Sequence, residues 1–187
     1  MASWDWLSEP LPLDAANTFR WADGSNTEFL KTPRDADDWL SAVRDRLPRH
    51  RLELPSSFNE AGLRSFRQVR NVLLEVLRPL SHDDLPDPQD LCALGDVALA
   101  HPVLRVLDAE GPVWVAAVNM PPCAQLLGLI AAEAVELLHA EPDHIAICHA
   151  PGCHWLFHQH RTNQRWCHPE CGNRARVSRH YHRTRDT

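Results

Sequence analysis

Cys148, Cys153, Cys167 and Cys171, four of the chain's six cysteines, fall inside the run CHAPGCHWLFHQHRTNQRWCHPECGNR. The spacing is Cys-x4-Cys, thirteen residues, then Cys-x3-Cys. Zinc takes four ligands in a tetrahedron, and each pair can form a knuckle on one side of a single metal. Pro151-Gly152 supplies the turn that the first knuckle needs. Histidines 149, 154, 158, 160 and 168 crowd the same segment, and any of them could replace a cysteine as ligand. Four thiolates are preferred, because both pairs have ligand spacing without borrowing. A closed tetrathiolate leaves no coordination position for water, which argues against zinc catalysis there.

The residues around and after the second knuckle carry a different chemistry. WLFHQH reads as a strand returning from the first knuckle, and PECGNRARVSRHYHR as a helix with Cys171 in its first turn. At about 100° per residue, this helix has three faces. Cys171, Ala175, Ser178 and His182 form the stripe nearest the metal. Arg174, Val177 and Tyr181 form a second, expected to pack against the body or a hairpin. Arg176, Arg179 and Arg183 form a third, with His180 at its edge, free to meet DNA phosphates. A merely solvated basic face is the plainer alternative.

The charge distribution sharpens that choice without deciding it. Net charge is −6. Residues 145–187 carry seven arginines against Glu170 and Asp186, or +5, so residues 1–144 carry −11. An acidic body with a basic tail suits polyanion binding by the tail. Equally, the body would repel DNA and attract its own tail. No apolar leader follows a basic start, so a soluble cytoplasmic protein with no membrane partner is expected. Its thiols would stay reduced, and clustered cysteines there mark metal more often than disulfides.

The elements that must position the cysteines read as mostly helical. TPRDADDWLSAVRDRL has a cap at Thr32, Pro33 in the first turn and acidic residues at the positive end of the dipole. SSFNEAGLRSFRQVRNVLLEVLRPL repeats apolar residues at spacings of three and four, and Pro79 should end it. DPQDLCALGDVALAHP is a further helix with Cys92 expected in the core. VLRVLDAEGPVWVAAV reads as a hairpin meeting at Glu110-Gly111. PPCAQLLGLIAAEAVELLHA is apolar almost all round, as a central helix would be, although its apolar run is short for a bilayer. LPLDAANTFRWADG is ambiguous between a short helix and a turn-rich strand. Within it Asp14, Asn17, Thr18, Arg20 and Trp21 could line a small-molecule pocket. Alternatively Asp14 and Asn17 bond nearby backbone and Trp21 fills the core. Cys123, beside two prolines, is expected to be buried and inert.

Cys-x4-Cys, RWC, and x3 before CGNR together resemble the CGNR zinc-finger family of bacterial proteins. LPLDAANT, with Asp14, Asn17 and Thr18, and DADDWL resemble the N-terminal ABATE domain of that family. The resemblance spans nearly the whole chain and implies Cys148, Cys153, Cys167 and Cys171 as zinc ligands. It also implies a stress-related transcription regulator. The expected architecture is α+β, mainly α. A helical domain with a β-hairpin spans residues 1–144, and a small treble-clef-like zinc module (knuckle, hairpin, helix) spans 145–187. The leading expectation is a regulator whose finger contacts DNA, with a homodimer as one form it could take. The rivals are a zinc-stabilised protein-interaction module, and an enzyme or ligand-binding protein with its pocket in the N-terminal domain. No Gly-rich phosphate loop, nucleophile elbow or His-Glu-x-x-His pattern is present, so signals for catalysis are thin.

Overall fold

The structure is a computed structural model that describes Trp4, residues 7–21 and residues 26–185, without the side chains of 180 and 182–185. Six α-helices and three two-stranded antiparallel sheets follow one another along these residues. The ambiguous N-terminal stretch resolves into a short helix α1 (Leu11–Ala16), then β1 (Phe19–Arg20) paired with β2 (Thr27–Glu28). That pair is not legible in the sequence, because two-residue strands carry no periodicity.

Local chemistry starts the next helices where it should. In α2 (Pro33–Val43), Thr32 and Asp35 form a reciprocal capping box. In α3 (Glu60–Leu80), the Asn59 side chain accepts the Gly62 N–H at 2.9 Å. Pro79 does not end this helix but lies in its last turn, with the cap at Ser81. The apolar positions Leu63, Phe66, Leu73 and Leu77 are almost fully buried and make α3 one wall of the core.

Helix α4 (Pro88–Ala100) packs on α3 and α5 (Pro122–Ala140), yet only Leu94 of it is buried. Cys92 is exposed, contrary to expectation, since α4 covers the core with one narrow stripe. The hairpin β3 (Val103–Asp108) and β4 (Gly111–Ala116) lies on α5, where the Trp114 indole donates to Glu133 at 2.6 Å. Gly111 takes φ +115, a conformation that favours glycine at the turn.

Helix α5 is the centre. Leu126, Leu127, Leu129, Ile130 and Ala131 are at most 1% exposed, packed against α1, α3 and α4. Its 19 residues make it longer than the apolar run suggested, and by length and composition it could cross a membrane. Here its apolar surface serves the interior of the fold. Cys123, near its start, is half-buried, and burial raises its thiol pKa.

After a 3-10 turn at Pro142–His144 come β5 (Ile145–Ile147), β6 (Leu156–His158) and α6 (Pro169–Arg185). Ile145 and Leu156 belong to the main core, whereas Cys148, Ala150, Cys153, Phe157 and Cys171 form a second, smaller cluster.

Candidate metal centre and nucleic-acid interface

The β5–β6 register pairs Ile147 with Leu156, so the chain between them must turn back within eight residues. Cys148 and Cys153 stand at the two ends of that turn. The Cys148 N–H donates to Trp155 O at 2.8 Å and the Cys153 N–H to Ala150 O at 2.9 Å. Gly152 and His154 both adopt positive φ, near +70° and +60°, which closes the knuckle. The second pair is delivered by the start of α6, where the Cys171 N–H donates to His168 O at 3.0 Å. The positive end of the α6 dipole therefore faces the sulfurs.

The four sulfurs meet. Cys153 Sγ lies 3.6 Å from Cys167 Sγ, Cys167 3.6 Å from Cys171, and Cys171 3.7 Å from Cys153. With Cys148, all lie within 4.8 Å of one another. For metal–sulfur bonds of about 2.3 Å, the edge of a tetrahedron is about 3.8 Å, so the spacing fits a tetrathiolate. None of the histidines in the segment joins this group among the described residues.

The protonation chemistry points the same way. Hydrogen bonding from Cys153 and Cys167 holds the Cys148 thiol far below its usual range, near 2, and backbone N–H groups of Cys167 and Ala150 add to this. The same contact with Cys148 pushes Cys153 up to about 12 and Cys167 further. One thiolate thus suppresses ionisation of its neighbours, and the steps belong to the cluster as a whole. A bound cation removes that conflict and lets every thiol ionise.

CGNR acquires a physical reading here. A Cβ at Gly172 would sit 3.0 Å from the Trp166 ring, so glycine lets the first turn of α6 close over the tryptophan of RWC. Arg174 donates from Nη2 to Cys171 Sγ at 3.3 Å, placing positive charge beside the thiolate cluster. Arg174 is nonetheless exposed, as are Val177 at 69% and Tyr181 at 57%. That stripe is thus exposed, not buried against the body as expected. Among the described residues of α6, the buried ones are Cys171, Gly172 and Ala175, all in its first two turns.

Arg176 and Arg179 are exposed. Arg176 donates to Asn173 Oδ1, and Arg179 Nε to Ala175 O at 3.3 Å. The side chains of His180 and Arg183 lie outside the described residues.

The five N-terminal candidates are dispersed. Asp14 is buried and bonded to Arg46 at 2.6 Å, and burial raises its pKa to about 6 despite that partner. Thr18 Oγ1 donates to Ala15 O at 2.7 Å. Arg20 lies over the rings of Phe29 and Trp155, at 5.9 and 5.6 Å. Trp21 is 47% exposed rather than in the core, with the Arg78 guanidinium 3.9 Å above its ring. Asn17 bonds to Leu156 of the finger and borders a cleft of about 480 Å³ shared with Glu9, Trp155, His168 and Arg174. Asp14 instead borders a separate crevice with Arg46, so the five do not surround one cavity. Glu9 escaped the sequence reading. Its carboxylate accepts the His158 N–H at 2.8 Å, and burial raises its pKa to about 7.

Residues 9–141 match the ABATE family, described as "Putative stress-induced transcription regulator", and residues 144–184 match the CGNR zinc finger. The chain belongs to the ABATE family. The ABATE and CGNR segments meet at the end of α5, and Asn17 of the ABATE segment is bonded to Leu156 of the finger. No curated protein matches the chain.

Proposed function

We propose that the tetrathiolate holds zinc, and that the protein is a cytoplasmic regulator contacting DNA through α6. One observation carries the reading. Arg176 and Arg179 stand exposed, one turn apart, on a 17-residue helix whose buried positions, among the described residues, are Cys171, Gly172 and Ala175. Zinc would supply a closed, non-catalytic anchor, held by Cys148, Cys153, Cys167 and Cys171. Arg174 would offset the surplus negative charge of four thiolates, leaving the arginines further along for phosphate. One finger offers few contacts, so a homodimer that doubles them completes the reading.

The test is binding of full-length, zinc-loaded protein to mixed-sequence duplex DNA across a salt series. Affinity that falls steeply with salt supports the regulator. No salt-sensitive binding at low ionic strength would defeat it. Val177 and Tyr181, exposed on the same helix, favour a second reading in which α6 docks a protein. Retention of a protein partner after nuclease treatment would favour that one.

A further inference from the structure

The histidines left out of the cysteine cluster are not scattered at random. Glu141 caps the C-terminal end of α5, and His144 ends the 3-10 turn that follows it. In such a turn residues three apart eclipse one another, so Glu141 and His144 share a face. The β5–β6 register then sets His158 opposite Ile145, beside His144. His158 Nε2 lies 2.5 Å from Glu141 Oε2, and His144 Nδ1 lies 3.8 Å from the same oxygen. One donor atom from each residue falls within 4.8 Å of the others. The His158 side chain is only 11% exposed, and its Nε2 is turned to the Glu141 carboxylate. A nearly buried imidazole set against a carboxylate and a second imidazole is a donor set that a cation can share.

We propose that Glu141, His144 and His158 form a second metal site, distinct from the cysteine cluster, for a divalent first-row transition metal. Two imidazoles and one carboxylate suit zinc, cobalt or nickel better than magnesium or calcium. Three protein ligands leave positions open, so this ion exchanges where the tetrathiolate ion does not. The site joins the end of α5 to the returning strand of the finger. Its occupancy therefore tightens the joint between the ABATE segment and the zinc module, and stability rises with metal concentration.

The experiment uses the full chain with its cysteine site already loaded with zinc, and Co2+ alone as the probe. Expected are one further equivalent of bound cobalt, no thiolate-to-cobalt charge-transfer absorption, and a thermal midpoint that climbs with cobalt. Glu141 and His144 are about half-exposed and lie outside the cysteine cluster, so the Glu141→Gln/His144→Ala variant should keep its zinc, while its midpoint should no longer climb with cobalt. Its cobalt affinity should fall by more than about tenfold. Three outcomes overturn the proposal: no cobalt uptake by the zinc-loaded chain, uptake unchanged in the variant, or charge-transfer absorption showing that cobalt has replaced zinc at the cysteines.

Discussion

Asn17 and Leu156, 139 residues apart in the chain, are joined by two hydrogen bonds. Asn17 Nδ2 donates to Leu156 O at 2.8 Å, and Asn17 Oδ1 accepts the Leu156 N–H at 2.9 Å. In the β5–β6 ladder Leu156 and His158 turn their backbone groups away from β5, toward the open edge of the strand. Asn17 satisfies Leu156, and Glu9 satisfies the His158 N–H. Two side chains from the start of the chain thus stand in for a third strand and cover an edge that would otherwise be unpaired.

Replacing Asn17 by alanine should leave a buried N–H and a buried C=O without partners. The expected loss is about 2–4 kcal/mol, at 1–3 kcal/mol per orphaned group with some relaxation. Asn17→Asp should recover little, because a carboxylate keeps the acceptor and places charge against the Leu156 carbonyl. Urea unfolding of both variants measures this, and an alanine variant within about 0.5 kcal/mol of the parent would show that the bridge is dispensable.

Metal removal should reach beyond the finger. Cys167→Ser, or chelation of the parent, should unfold the knuckles, since binding free energy is folding free energy in so small a module. Ile145 and Leu156 belong to the main core, so the loss should also loosen α1. Hydrogen exchange would show protection falling at residues 145–175 and at 11–18 together, while α3 and α5 stay protected. Loss confined to the finger would mean that the two parts are energetically separate.

The arginines should divide by role. Arg176→Gln with Arg179→Gln should lower the slope of log K against log salt by about 1.8, at roughly 0.9 per phosphate contact, if DNA binding operates through them. Arg174→Gln should instead weaken metal retention in competition with a chelator, because its guanidinium bonds to Cys171 Sγ. A salt slope altered equally by all three would remove the distinction.

The Asp14–Arg46 pair should show in the pH dependence of stability. Burial raises Asp14 from 3.8 to about 6 in the folded chain. Between those values the native state holds the proton more tightly than the unfolded state, so this group's contribution falls as pH rises through the window. Relative to the parent, Asp14→Asn should therefore gain up to about 3 kcal/mol between pH 4 and pH 7. Parallel curves for parent and variant would mean that Arg46 fully offsets the burial.

What the sequence alone determined is what short-range chemistry specifies. Two knuckle spacings announce a tetrathiolate because each pair must reach a metal across only four or three intervening residues. Thr32 announces a helix start because a cap bonds to backbone two or three residues away. Family membership was legible for the same reason, through RWC, CGNR and LPLDAANT. Tertiary structure alone decided which partners the remaining groups find across long separations. Asn17 looked like a local cap or a pocket residue, and its partner sits in the finger. Glu141, His144 and His158 acquire a shared chemistry only when a 3-10 turn and a strand register bring them side by side. Val177, Tyr181 and Cys92 have core-like residue types, yet they are exposed, because burial depends on whether another surface arrives to cover them. Periodicity states which residues share a face. Only packing decides whether that face is met.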